Sequence, residues 1–328
     1  MKMREYVIKR LLLVIPVLLG VSFIMFFLIY RLPGDPADYL LALEDRNVNP
    51  EIILRIKEIY GLDKPIYYQY YLFLRRLIAG NLGRSFTSGR QVGQEILART
   101  PNTLALQVAA FALSVAIAVP AGITCAIKQN TKTDTYVMMG ALFGASVPTF
   151  FLGLLMIYGF ALILGWFPTT GAHSTEFFGD GIPHGLQYWI DYLWHMTLPA
   201  VTLAVATTGY TARLVRSSML SVLREDYVMA ARSKGLKERT VIYKHALKNA
   251  MLPVITLLGL RIGVMLSGAP IIEQVFSWPG LGKYFVLAVK FRDYSVAVGA
   301  AIVLGIMIVI ANLLIDISYR WLDPRVEL

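Results

Sequence analysis

The chain has 328 residues, of which 56% are hydrophobic and only 16% charged, well below the about 25% charge of an ordinary soluble domain. Its apolar residues gather in runs of about 20, the length that crosses a bilayer, which excludes a soluble globular protein. The net charge of +10 admits nucleic acid, anionic lipid or a topology signal, and its distribution decides among them.

Residues 11–30 form the first uncharged run, preceded by Lys2, Arg4, Lys9 and Arg10. The run exceeds the about 7–15 residues of a signal-peptide core and no small-residue cleavage site follows it, so a retained membrane helix is expected. Residues 31–99 then read as an outer helical segment. Asn49 can cap a helix that begins at Pro50 and Glu51, carries Ile52, Ile56 and Ile59 on one stripe and stops at Gly61. A second helix is expected from Pro65 to Ala79, with Tyr67, Tyr71, Leu74 and Ile78 on one face and Gly80 closing it. Such a cap either receives a delivery protein or covers the ends of the spans.

Five further spans are expected at about residues 104–127, 136–164, 198–215, 252–272 and 296–318. Pro120, Pro148 and Pro270 lie in or at the ends of spans, where kinks are expected. Trp166, Trp189, Trp194, Trp278 and Trp321 fall near span ends, and interfacial anchoring accounts for each. Lys128, Lys132 and the basic residues from Arg213 to Lys248 share one side with the basic N-terminus, whereas residues 165–197 hold no Lys or Arg. The positive-inside rule therefore puts both termini in the cytoplasm and makes the excess charge mostly topological, with no nucleic acid implied.

The inner segment 217–251 is the most informative. Asp226 can cap a short helix through Ala230 and Ala231, and Gly235 after Lys234 suits the left-handed residue that closes one. Small alanines allow that helix to lie close against another surface, and a second helix over residues 237–249 returns the chain to the membrane. The pair reads either as a lever gripped by a partner or as a solvated loop whose charge sets topology. Arg261 interrupts an apolar stretch, and a charge at mid-span costs at least about 2.5 kcal/mol, so it faces protein or water. It either lines a translocation path and attracts a carboxylate or pairs with a buried acid or carbonyl.

Catalytic chemistry is not written in the chain. Gly280-Leu281-Gly282-Lys283 imitates a phosphate loop, but Ser277 stands where the first glycine belongs and Tyr284 replaces the magnesium-binding hydroxyl. HExxH and GxSxG are both missing, so no zinc protease or nucleophile elbow is indicated. His173, His184 and His195, with Glu176, Asp180 and Asp191 between them, have no metal-ligand spacing. Cys125, the single cysteine, excludes an internal disulfide and a cysteine-built zinc site. An ion-coupled carrier would carry internal repeats and several intramembrane acids, whereas Glu273 and Asp316 lie near span ends.

Eight short motifs stand in order: Pro33-Gly34-Asp35-Pro36; Tyr60-Gly61-Leu62-Asp63-Lys64-Pro65; Asn81-Leu82-Gly83-Arg84-Ser85-Phe86; Pro101-Asn102-Thr103-Leu104; Ser146-Val147-Pro148-Thr149-Phe150; Arg216-Ser217-Ser218-Met219-Leu220, continuing through Glu225-Asp226-Tyr227 to Gly235-Leu236; His245-Ala246-Leu247-Lys248-Asn249-Ala250; and Phe276-Ser277-Trp278-Pro279-Gly280-Leu281-Gly282. Together they resemble the inner-membrane permeases of ATP-driven importers in the dipeptide, oligopeptide and nickel branch, over nearly the whole chain. The resemblance implies an all-α polytopic fold of six spans, divided into residues 1–30, an extracytoplasmic helical segment 31–99 and a five-helix core 100–328. It implies that Glu225, Asp226, Tyr227, Ala230, Ala231, Arg232, Lys234, Gly235 and Leu236 form a coupling helix seated in an ATPase subunit. Met229 and Lys248 stand where that family's motif usually has glutamate and proline, and Ser295 where proline usually follows Arg292-Asp293-Tyr294. The translocation path is expected to include Arg261, Ser146 and Pro148. Also implied are a second permease, two ATPases holding ATP and magnesium, a solute-binding protein and a peptide cargo, with nickel or glutathione as alternatives. The chain itself would be a non-enzymatic pore in the bacterial or archaeal cytoplasmic membrane, without catalytic residues, bound metal or cofactor.

Overall fold

The computed structural model describes residues 12–13, 15–24, 26–27, 64–85, 87–174, 185–265 and 269–322. Among these residues the chain is helical, with one isolated antiparallel bridge between Arg84 and Gln91. In chain order the helices are α1 (Ile15–Ile24), α2 (Ile66–Ile78), α3 (Val92–Ile127), α4 (Lys132–Ser146), α5 (Thr149–Met156, extended by a π-helical stretch Ile157–Ile163), α6 (Leu186–Val222), α7 (Asp226–Ser233), α8 (Leu247–Met265), α9 (Pro270–Val275), α10 (Leu281–Lys290) and α11 (Tyr294–Leu322). The expected helix from Pro50 to Gly61 lies outside the described residues.

Helices α3 and α6 form the spine. Their 36 and 37 residues give rods of about 55 Å at 1.5 Å per residue, longer than the apolar runs alone suggested, α3 at its N-terminal end and α6 at both ends. Small residues let the rods close in. A Cβ on Gly122 of α3 would fall 2.6 Å from the Ala212 carbonyl oxygen of α6. Gly209 of α6 lies against the backbone of Ala141 on α4, and Gly144 of α4 against Val205 of α6. Backbones without intervening side chains gain dispersion contact, which is how helices associate where lipid supplies no hydrophobic drive.

Among the described residues two helices, α3 and residues 295–313 of α11, are by themselves long and apolar enough to cross a membrane, and a third crossing arises if the bent pair α4–α5 is one span. That pair takes the place of the third expected span, and the kink expected at Pro148 is a sharp turn. The chain turns by 104° between α4 and α5, because Val147 precedes Pro148 and takes an extended conformation (φ −76°, ψ 130°) that proline imposes on its neighbour. The fifth expected span is not one helix to residue 272: Ala269 leaves the helical region (φ −124°, ψ 71°), and Pro270 opens the separate helix α9 in the first-turn position where its missing N–H costs nothing.

Helix α2 occurs where it was expected, and Gly80 closes it with φ +72°. Of the face carrying Tyr67, Tyr71, Leu74 and Ile78, the residues Tyr67, Tyr71 and Ile78 are exposed, whereas Phe73 and Leu77 pack on the cluster formed by Val92, Ile96, Leu281 and α11. Tyr70 stacks on Phe73, meets Phe23 edge to face and Phe26 at a tilt, and shares a 3.0 Å hydrogen bond with Ser22 of α1.

Candidate functional site

The hairpin between α6 and α8 is built from a short helix with two unlike faces. Glu225 occupies the cap position without a side-chain bond and Asp226 is the first helical residue, so the helix begins one place earlier than expected. Gly235 has φ +73°, and its N–H donates to the Arg232 carbonyl at 2.9 Å, closing α7 with the left-handed residue that the sequence predicted. Arg232 then grips Glu238 through two hydrogen bonds of 3.2 and 2.8 Å, which fixes the turn between α7 and the returning chain. From Glu238 the chain is helical without interruption to Met265, through a π-helical stretch Val241–Ala246 that runs directly into α8.

Val228 and Ala231, three residues apart and so on one face of α7, are buried against Val215, Met219, Val241, Ile242 and Ala246. Tyr227, Met229, Ala230, Arg232, Ser233, Lys234, Gly235 and Leu236 are exposed, as is Tyr243 behind them. Met229 leaves 49% of its surface in solvent. Of the nine residues assigned to coupling, Ala231 therefore serves the scaffold, and Glu225, Asp226, Tyr227, Ala230, Arg232, Lys234, Gly235 and Leu236 form the outward surface. Sequence reasoning missed Met229 and Tyr243; the signal was available in the three-residue spacing of Val228 and Ala231. The Asn249 amide donates to the Tyr227 hydroxyl at 2.7 Å, pinning the first turn of α7 to α8.

At the foot of α4, Arg216 of α6 donates to both carboxylate oxygens of Asp134, at 2.7 and 2.6 Å. The Arg216 guanidinium holds the Asp134 carboxyl below the usual carboxylate range. The hairpin is thus attached to α6, α8 and, through Arg216, α4.

At the opposite ends of α3 and α6 the remaining motifs meet in pairs. Trp278 is fully buried and its indole N–H donates to the Asn102 carbonyl at 3.0 Å, which corrects its reading as an interfacial anchor; Trp166, Trp189 and Trp194 are exposed as anchors should be. The Asn102 amide donates to the Pro279 carbonyl at 3.1 Å and accepts from the Tyr192 hydroxyl at 3.0 Å. Glu273, without exposed surface, accepts the Thr103 hydroxyl and the Lys283 N–H, each at 2.8 Å. Asp293 accepts the Ser85 hydroxyl at 2.6 Å and the Thr87 N–H at 3.1 Å.

The residues expected on the translocation path are dispersed among elements. Arg261 lies over the ring of Tyr210 with its guanidinium carbon 4.3 Å from the centroid. Ser146 bonds back to the Leu142 carbonyl at 2.8 Å and is exposed with Pro148 at the α4–α5 bend. His173 and His195 do converge on Asp191, but the Asp191 carboxylate also accepts the N–H and hydroxyl of Ser174. Among the described residues no group of three or more potential ligands is arranged for a metal.

Residues 118–328 match the family model of the binding-protein-dependent transport system inner membrane component, and residues 3–107 match the N-terminal model of the same components. The chain is 38% identical over 328 residues to the oligopeptide transport system permease protein AppB of Bacillus subtilis, covering 99% of this chain and 100% of that one. It is 38% identical to the dipeptide transport system permease protein DppB of Alkalihalophilus pseudofirmus, over 99% and 100% of the two chains. Identity to the glutathione transport system permease protein GsiC of Escherichia coli K12 is 37%, over 99% of each. Among solved structures, the inward-facing MetNI methionine ABC transporter shares the fold at a TM-score of 0.55 and 17% identity, over 70% of this chain and 97% of its counterpart.

Proposed function

The chain belongs to the family of binding-protein-dependent transport system inner membrane components, and from that premise we propose that it is the permease of an ATP-driven importer of di- and oligopeptides. The printed functions of the relatives support this cargo, and the glutathione permease among them supports a second reading, import of that small peptide. In this proposal the bundle spans the bacterial or archaeal cytoplasmic membrane six times with both termini inside, and pairs with a second permease. Cargo arrives from a solute-binding protein at the end where Trp278, Glu273 and Asp293 gather.

The observation that carries the mechanism is the division of α7 into a face locked to the scaffold through Val228 and Ala231 and a face left to solvent through Tyr227 and Met229, with exposed Leu236 just beyond its end. An apolar set on an exposed hairpin held on both sides suits a docking surface for a nucleotide-burning subunit. Two such ATPases hold ATP and magnesium. Their closure pushes on residues 225–249, and the helices attached there shift between inward and outward openings. Arg261, Ser146 and Pro148 lie on the path, with Arg261 attracting a carboxylate, and this chain contributes no catalytic group.

The test is reconstitution of the whole importer in proteoliposomes with its ATPases and binding protein. Uptake of a labelled dipeptide should require ATP and survive collapse of the proton and sodium gradients. Uptake by this chain without ATPases, or uptake abolished by ionophores at saturating ATP, would overturn the reading.

A further inference from the structure

Arg261 is a cation in an apolar helix without an anionic partner among the described residues. Leu257 and Leu258 precede it by a turn, and its one described interaction is with the Tyr210 ring. Tyr210 is 46% exposed, so the ring does not close off the guanidinium from the space beside α6. Arg213, one helical turn further along the same face of α6, is exposed as well. Two arginines and a tyrosine hydroxyl on one wall are a poor match for acyl chains, and the space they border is therefore aqueous or filled by a polar partner.

The Tyr210 ring is a weak holder. A cation over an aromatic face is bound less tightly than a guanidinium that makes paired, charge-assisted hydrogen bonds to a carboxylate, and poor solvation widens that difference. An arriving carboxylate therefore draws Arg261 off the ring and leaves free an electron-rich face of the kind that accepts an ammonium. A dipeptide carries both groups within about 7 Å of each other, a distance that one arginine side chain swinging aside can open.

We infer that Tyr210 and Arg261 form a two-part site for the ends of a short zwitterionic peptide: Arg261 takes the carboxylate, and the ring it vacates takes the ammonium. The inference rests on the importer reading and adds to it a chemical reason for this chain itself to select both free ends.

The test compares uptake of a free-ended dipeptide, its C-terminal amide and its N-acetyl form by the complete reconstituted importer, always with the same binding protein. That protein's own preferences then cancel when each variant is expressed relative to wild type. Arg261→Gln should lower uptake of the free-ended peptide about tenfold, while the amide changes by less than about twofold. Tyr210→Leu should lower the free-ended peptide relative to the N-acetyl form by about fivefold, and Tyr210→Phe should keep the wild-type ratio. Unchanged ratios in Arg261→Gln and Tyr210→Leu would overturn the site, as would a Tyr210→Phe variant that behaves like Tyr210→Leu. If Arg261→Gln fails to assemble, Arg261→Lys retains the charge and must retain the preference for a free carboxylate; loss of that preference in an assembled complex overturns the site. A wild-type complex without ATP-driven uptake removes the importer reading, and the site with it.

Discussion

Asp134 and Arg216, 82 residues apart, are joined by two parallel hydrogen bonds of 2.7 and 2.6 Å. The fork-on-carboxylate geometry ties the first turn of α4 to α6, and both side chains are largely shielded from solvent. Asp134→Asn should therefore cost about 2 kcal/mol, read as a lower melting temperature of the purified chain in detergent. Because Arg216 depresses the Asp134 pKa, the contribution is complete above the unfolded carboxylate value of about 3.9 and is lost as pH falls through the lower folded value. The gap between wild type and Asp134→Asn should hold from neutral pH down to about pH 4 and shrink below it; a constant gap under more acid conditions would argue against the ion pair as its source.

The two faces of α7 should separate by mutation. Val228→Ala removes buried methyl groups and should destabilise the chain by about 1–2 kcal/mol. Met229→Ala should leave the melting temperature unchanged and reduce co-purification of the ATPases. Equal effects of the two changes on both measurements would mean that the hairpin has no dedicated outer face.

At Gly235 an added Cβ would meet nothing within 4 Å, so the penalty of substitution is conformational alone. Gly235→Val should cost about 1–2 kcal/mol for its left-handed backbone and unseat the α7 closure, leaving an inserted permease with weak ATPase binding. Gly235→Asn should be milder, since asparagine tolerates that region. Full co-purification with the valine variant would exclude the hairpin as the coupling element.

The Glu273 carboxylate is an acceptor for the Thr103 hydroxyl and the Lys283 N–H. Glu273→Gln places an amide N–H₂ against one of those donors and should destabilise by about 2–3 kcal/mol. Thr103→Val should cost less, about 1–2 kcal/mol, and the double variant should fall short of the sum because the two share a bond. Additive losses in a thermal-unfolding cycle would contradict the coupling.

The helical class, the closing glycines at Gly80 and Gly235 and the α7 hairpin were legible because each depends on local chemistry. What escaped depends on which distant partner arrives. Helix α2 carries aromatic residues around much of its circumference, so no stripe marks Tyr70 and Phe73 as the packed side until α1 supplies Phe23 and Phe26. Trp278 reads like any tryptophan near a span end until Asn102, on another helix, accepts its N–H. The Val147–Pro148 bend was legible as a kink but not as a 104° turn, because the angle is set by the packing of α4 and α5 against α6. Of the candidate site, the residues of the hairpin could be named in advance; the sorting of Ala231 inward and Met229 outward required knowledge of where Met219 and Val241 lie.

The unbroken course from Glu238 to Met265 has a geometric corollary. Arg261 lies 23 residues beyond Glu238, about 35 Å along the axis, with no intervening loop to absorb a displacement. A tilt of about 10° at the foot would sweep the guanidinium sideways by roughly 6 Å, more than the 4.3 Å that separates it from the Tyr210 ring. Small angular travel at the hairpin is thereby enough to make or break a contact near the far end of α8.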